Sequence, residues 1–450
     1  MHSEQIKMLL SMIQRLIRRG ATHNLQKIVN KSHAADVAAV LRFLPPKDQI
    51  SLFHLIDNIE KKAEVLSELG EAESLVIAED MPAEDTVKIF EEMASDDVAD
   101  LLQILPDEKS KEILDLMQKE DSAEVEGLLR FEDDTAGGIM VPDFVALKEE
   151  TTVGDAIAAL QTKEKDVEMA FYLYVVDDYD HLVGVISLRQ LVVARPATKL
   201  QDIMTTNVVS VHSNMDQEEV AKVVARYNIL AVPVVDDQNV LLGIVTVDDV
   251  IDIIREEATE DILRMAGAGD ELVETQSVLR STRTRLPWLF ASWIGGIGAF
   301  YIIDHFQGAL SKVLYLAAFI PIIMGMGGSV GTQSATIVVR GLAMGRFNVK
   351  HILPVVLKEL TIGGLLGFFY GLLLGIVAQY RYDLWEVGIV VGFSVLCSMT
   401  MAATVGSCVP LILARIKIDP AVATGSFVTT SIDILSVLLY FQIATLLLHI

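Results

Sequence analysis

From Arg285 onward the sequence falls into five apolar stretches, roughly 286–306, 314–340, 352–380, 385–413 and 420–448. Each has the length, about 20 residues, that carries an α-helix across the hydrocarbon of a bilayer. Only a helix or a closed barrel satisfies its own backbone in lipid, so these stretches dictate a bundle of five spanning helices. Everything before them is different in kind. Residues 1–281 hold 26 Lys/Arg and 55 Asp/Glu, a balance of −29; residues 282–450 hold the remaining 10 and 6, a balance of +4. The −25 of the whole chain therefore belongs to its first part.

An odd number of spans puts the termini on opposite sides. Arg280, Arg283 and Arg285 precede the first span, Arg340, Arg346 and Lys350 lie between the second and third, and Arg415 and Lys417 between the fourth and fifth. The other loops offer only Lys312 and Arg381. The positive-inside bias places the acidic region and the N-terminus in the cytoplasm, and the C-terminus outside a plasma (inner) membrane. The opening "MHSEQIKMLLSMIQRLIRRG" is amphipathic, with basic residues mixed into the apolar run, unlike a signal peptide. So acidic a soluble region argues against nucleic acid as a partner and for cations, although excess acid also serves solubility. Cys397 and Cys408 both lie in the apolar half and read as small packing residues.

Residues 1–130 read as helix throughout, forming an all-α N domain. "DVAAVLRFLPPKDQISLFHLI" from Asp36 resembles "DVADLLQILPDEKSKEILDLM" from Asp97, with a third copy at "MPAEDTVKIFEEM" from Met81. Pro45, Pro82 and Pro106 mark helix starts at the first helical position, and stacked helix pairs forming a small superhelix follow. A second repeat, about 60 residues in period, begins near 137. "IMVPDFVAL" matches "IMTTNVVSV", and "LYVVDDYDHLVGVISLRQL" matches "VPVVDDQNVLLGIVTVDDV". Each copy reads strand, helix, strand, tight polar turn, strand, helix. This tandem resembles a pair of CBS domains, here 131–200 and 201–256, a regulatory α/β module. The resemblance implies ATP or another adenine nucleotide as ligand. A Thr or Ser and an Asp three residues later would contact it: Thr246 and Asp249 in the second copy. In the first copy Ser187 is kept, but Gln190 replaces the Asp, so one site at most is intact. A charged helix over 257–281 connects this region to the spans.

Span two holds Gly325, Gly327, Gly328 and Gly331. Small residues in a span permit either close packing or a break in the helix. The run Thr332, Gln333, Ser334 and Thr336 that follows favours a break lining a pore. In span three Lys358 and Glu359 read as an intrahelical pair near an interface. In span five "FVTTSIDILSVLLYF" carries one carboxylate, Asp433. Measured from Pro420 at about 1.5 Å per residue it lies about 20 Å along the span, near mid-bilayer. A charge there costs roughly 2.5–3.5 kcal/mol on insertion scales. Thr424, Thr429, Thr430 and Ser431 supply oxygen atoms nearby, and no Lys or Arg stands at matching depth. A carboxylate facing a water-filled cation path answers that cost. Oxygen ligands without Cys, and with little His, suit a hard ion, and Mg²⁺, which gives up its waters reluctantly, suits a site with one or two carboxylates.

The order of acidic helical domain, CBS pair, connecting helix and five spans, with "PIIMGMGGSVGTQS", "RGLAMG" and "DPAVATGSFVTTSIDI", resembles the MgtE-type magnesium transporters and channels over essentially the whole chain. The resemblance implies a homodimer with the ion path between subunits. It implies Asp433 at the ion site, with Gly328 and the backbone near Ala423, Thr424, Thr429 and Thr430 around it. It also implies cytosolic Mg²⁺ sensing at carboxylates that close the pore: Asp96, Asp97 and Asp100, spaced to share a helical face, and Asp248, Asp249, Asp252, Glu256, Glu257, Glu260 and Asp261 about the connecting helix. Ser329 and Ser426 stand where that family usually has Asn and Pro. A broader divalent cation transporter for Co²⁺ or Mn²⁺, or a CBS-regulated channel for another ion, is the alternative. The spans carry no HExxH, nucleophile elbow or clustered His, so an enzyme is not indicated.

Overall fold

The computed structural model describes residues 2–162, 171–267, 278–347, 352–421 and 425–449. It divides into two compact units, Met1–Arg255 and Glu256–Ile450.

The first unit opens with ten short helices, from α1 (His2–Arg18) to α10 (Lys119–Leu128). What repeats physically is the way one helix end is capped by the next helix. Gln49 Nε2 donates to the Leu41 carbonyl (3.1 Å), Ser74 Oγ to Leu66 (3.3 Å) and Ser110 Oγ to Leu102 (2.7 Å), each across eight residues. Lysines do the same over longer range. Lys61 Nζ donates to the carbonyls of Val29 and Ser32, and Lys109 Nζ to those of Glu79 and Met81. These bonds satisfy carbonyls that a helix C-terminus leaves without partners. Partial burial lowers the Lys61 ammonium below its ordinary value, against the opposing pull of Glu64. The prolines act one position earlier than expected. Pro45, Pro82 and Pro106 are N-caps whose carbonyls accept the first helical bonds, and Pro46 holds the first-turn place.

Two three-stranded sheets follow, each with the expected order. In the first, β1 (Ala146–Lys148) runs parallel to β2 (Tyr172–Val176), which pairs antiparallel with β3 (Leu182–Ser187). In the second, β4 (Val211–His212), β5 (Ala231–Val235) and β6 (Leu241–Thr246) repeat the arrangement. The polar turns form as their residues dictate. Asp177 and Asp236 each accept two backbone N–H bonds through Oδ1, and Asp180 and Asn239 take the left-handed conformation at φ 63° and 65°. The two hairpins then pair with each other: Leu182 N donates to the Asn239 carbonyl (3.0 Å), and Asn239 Nδ2 to that of Leu182 (2.9 Å). The repeated Ile-Met motifs cross between copies. A Cβ at Gly184 would meet Met204, and one at Gly243 would meet Met140. One apolar core runs from the helical repeats into the second copy, joining Ile13, Phe53 and Leu102 to Val211, Val232 and Val245.

Among the described residues of the second unit five helices are long and apolar enough to cross a membrane: Ser281–His305, Leu314–Ala343, Ile352–Tyr382, Trp385–Arg415 and Phe427–Leu448. They belong to α15 (Val278–His305), α17 (Ile320–Ala343), α18 (Ile352–Tyr382), α19 (Trp385–Arg415) and α20 (Ser426–Leu448). α14 (Val247–Met265) leads toward them. Glycines set their packing. Along α18, Gly363, Gly367, Gly371 and Gly375 face α19 so closely that a Cβ at Gly371 would stand 2.4 Å from the Gly392 carbonyl, and one at Gly375 2.8 Å from that of Gly388. Without a hydrophobic drive between helices in lipid, such backbone contact is what holds a bundle together. The expected break in span two does not occur, since α17 is unbroken from Ile320 to Ala343. Two of its glycines receive neighbouring side chains instead. Gly327 meets the hydroxyls of Ser436 and Ser398, and Gly331 meets Ile432.

Candidate ion site

α20 begins at Ser426, not Pro420, so Asp433 is the seventh residue of the 22-residue span Phe427–Leu448. By its own helix it lies nearer the start than the sequence suggested. By its neighbour it is central, because it stands beside Gly328, the fifteenth residue of the 30 in Leu314–Ala343. A Cβ at Gly328 would lie 3.5 Å from Thr429 Cγ2 and 3.7 Å from Asp433 Oδ1, so the α17 backbone passes directly alongside the carboxylate. Thr332 and Thr429 bring their hydroxyls to 3.5 Å of each other, and Thr429 Oγ1 also donates to the Gly425 carbonyl at 3.0 Å. Thr430 fills the space that a side chain at Gly295 of α15 would need.

Asp433, Thr332, Thr429, Thr430, Gly295 and Gly425 line a cavity of about 490 Å³, together with Ser292, Gly296, Ala299, Met324, Met265 and Ala266. Among the described residues Asp433 is the one ionisable side chain in that lining. Met265 and Ala266 come from the end of the connecting helix. The Met265 carbonyl lies 2.8 Å from where a Cβ on Gly425 would be, so only glycine lets the two approach this closely. Arg264 of α14 holds the same junction through Asp419, Nη1 to Oδ2 at 2.7 Å, while Asp419 Oδ1 accepts from Ala421 N at 2.8 Å. Arg264 also pairs with Glu260. The carbonyl end of α14, carrying the negative end of its dipole, thus lies at a cavity already lined by a carboxylate. Ala423 and Thr424 lie outside the described residues.

The candidate carboxylates before the spans are sorted by their surroundings. α8 (Ser95–Ile104) buries Asp96 at 8% exposure, leaves Asp100 exposed and holds Asp97 half-buried, so the three do not share one solvated face. Burial pushes the Asp97 carboxyl above its ordinary value; Asp248 and Glu68 push the same way, against a hydrogen bond from Ser67. The helical repeats and the second CBS copy therefore meet with like charges facing one another. Asp252 is ion-paired with Arg255 at 3.0 Å. Glu256 is exposed, and Glu257 and Asp261 are half-buried. Among the described residues no three His, Cys, Asp or Glu side chains converge to hold a bare metal ion. At the second CBS copy Thr246 Oγ1 donates to Asp249. At the first, Gln190 is occupied in capping. Its Oε1 accepts from Ser187 N and Oγ (2.9 and 2.7 Å), and its Nε2 donates to Ile203 (3.2 Å).

Several residues of these sites were not expected from sequence. Glu68 and Ser67 carry no pattern that sets them apart from dozens of other acids and hydroxyls. Arg264 and Asp419 are 155 residues apart. Glu359 does not pair with Lys358. It is 4% exposed and accepts from Ser334 Oγ of α17 at 2.8 Å, while Lys358 is exposed. Adjacent helical residues diverge by about 100°, since 3.6 residues make a turn, and that spacing could have warned against the pair.

Residues 320–443 match the model of the MgtE divalent cation transporter family, 32–134 that of the MgtE intracellular N domain, and 136–196 and 200–256 that of the CBS domain. The magnesium transporter MgtE of Bacillus subtilis (strain 168) is 39% identical over 316 residues, 70% of either chain. That of Thermus thermophilus is 39% identical over 321 residues, 70% of this chain and 71% of its own. The chain belongs to the MgtE family. The solved cytosolic domain of the Mg²⁺ channel MgtE in complex with ATP shares 38% identity at a TM-score of 0.51, covering 54% of this chain and 99% of that one. The soluble part of a magnesium transporter shares 33% at 0.50, covering 56% and 99%. The helical domain and CBS pair are thus the family's cytosolic architecture, and MgtE relatives are named for transport rather than for catalysis.

Proposed function

We propose that the chain is a Mg²⁺ channel or transporter in which the ion passes Asp433. The observation that carries this reading is the cavity, with one carboxylate, threonine hydroxyls and a helix carbonyl end around it. Its size supports a hydrated ion. Six waters occupy about 180 Å³ at about 30 Å³ each, well within about 490 Å³. Mg²⁺ keeps its waters and is held through one or two carboxylates, whereas an ion stripped of water needs a fuller cage. A two-fold dimer would bring a second Asp433. Running inward, a divalent ion gains about 4.6 kcal/mol per 100 mV, twice the single-charge value, so no other energy source is needed. The loop arginines and lysines support a cytoplasmic first unit and a C-terminus on the outer side.

Closure follows from the cytosolic acids. Asp97, Asp248 and Glu68 repel one another until a cation neutralises them, so cytosolic Mg²⁺ favours the arrangement that brings them together. Asp96 and Asp100 stand on α8 with Asp97, and Asp249, Asp252, Glu256, Glu257, Glu260 and Asp261 continue the run of acids along α14, whose end reaches the cavity at Gly425. Thr246 and Asp249 are the residues for ATP or another adenine nucleotide, the ligand named for the solved relative.

The test is flux through the purified chain in proteoliposomes, comparing Mg²⁺, Co²⁺, Mn²⁺ and Cl⁻ with and without Mg²⁺ on the cytosolic side. Mg²⁺ flux that falls when cytosolic Mg²⁺ rises is the expected result. Chloride flux, or equal flux of all three metals, would overturn the assignment of the ion.

A further inference from the structure

One sequence feature has no part in ion passage or in sensing. The first 31 residues carry six Lys/Arg (Lys7, Arg15, Arg18, Arg19, Lys27 and Lys31) and one acid, Glu4, in a region whose balance to residue 281 is −29. α1 turns its apolar residues inward: Ile13 is fully buried, and Ile6, Leu9, Leu10, Leu16 and Ile17 pack on the same core. Its other face presents Lys7, Met8, Ser11, Met12, Arg15 and Arg18 to solvent, with Arg19 just beyond its end. Met8 is 70% and Met12 42% exposed. Among the described residues none of the four basic side chains is ion-paired, although acids outnumber bases two to one over residues 1–281.

We propose that this outer face of α1 docks on the anionic headgroups of the bilayer that the same chain spans. Charge complementarity selects the partner. An anionic leaflet attracts each nearby Lys or Arg, multiplying partitioning about fivefold per residue. The exposed methionines, one turn apart, are flexible apolar chains suited to the headgroup boundary. The spans supply the surface at high effective concentration, so weak contacts suffice.

The experiment uses the full chain in lipid nanodiscs and reads peroxide oxidation of Met8 and Met12 by mass spectrometry. Discs of phosphatidylcholine are compared with discs containing about a third phosphatidylglycerol. The expected result is severalfold slower oxidation of both methionines in the anionic discs. That protection should vanish in about 1 M salt, where screening reaches about 3 Å. It should also vanish with Arg15→Glu, Arg18→Glu and Arg19→Glu together, and persist with the three corresponding Arg→Lys changes, which keep the charge. Equal oxidation in both discs overturns the proposal. So does equal protection in phosphatidylcholine, which would mean that α1 is covered by protein, for instance a second copy.

Discussion

Asp433 and Asp97 are both carboxylates held against protein, and they stand in opposite backgrounds. The second unit has few charges, and its helices are fixed by backbone contact at glycines, so one acid there is conspicuous and firmly placed. The first unit is crowded with acids on an apolar core, and Asp97 stands apart because the fold buries it and brings Asp248, Glu68 and Ser67 to it from other elements. A site in a sparse background is set by what surrounds one residue. A site in a dense background is set by which of many residues the fold brings together.

The largest effect expected on this contrast comes from breaking the packing behind Asp433. A Cβ at Gly406 would stand 2.3 Å from the Gly331 carbonyl, forcing α19 from α17 beside Ile432. Gly406→Val should cost about 3 kcal/mol or more and remove most folded protein, seen as lost monodispersity and a lowered melting temperature. An unchanged melting temperature would mean that the glycine contacts do not fix the site. Gly425→Val is more local. It must push away the Met265 carbonyl, so the end of α14 no longer fits the cavity, and inhibition by cytosolic Mg²⁺ should weaken at least severalfold in patch recordings. Retained inhibition would free α14 from any role in closure.

Asp97→Asn tests the crowded side. The Asp97 carboxyl is raised in the folded state, so that state holds an extra proton between the ordinary carboxylate value and the raised one. Its stability contribution is best below the ordinary value and is lost as pH rises through the raised one. The Asn variant should therefore melt higher than the parent at neutral pH, with the difference closing in acid, and it should need less Mg²⁺ for compaction. A lower melting temperature at neutral pH would show that the carboxylate is stabilised rather than repelled. Arg264→Ala, which removes a half-exposed pair with Asp419, should do least: about 0.2–1 kcal/mol, read as a small shift in the Mg²⁺ dependence of closure.

The two backgrounds also explain what could be read from sequence. The five spans, the succession of strands and helices in both CBS copies and the lone carboxylate in the last span were legible because each rests on a local pattern: apolar length, alternation with polar turns, or one charge among Val, Leu and Ile. Glycine spacing in span two was visible, but its consequence was not. Whether Gly327 and Gly331 break a helix or receive Ser436 and Ile432 depends on partners about a hundred residues away. Glu359 misled for the same reason, since Ser334 lies on another helix. Glu68 and Asp419 acquire meaning only through Asp97 and Arg264, which no spacing rule connects to them.

The central claim is that the ion passes Asp433, and Mg²⁺ flux through Asp433→Asn in proteoliposomes tests it most directly. Asn keeps the size and removes the charge, so folding, checked by melting temperature, should be retained. Flux should fall by about two orders of magnitude or more, as the loss of a transmembrane cation ligand implies. Flux of the Asn variant within about twofold of the parent, at equal folded protein, would contradict it.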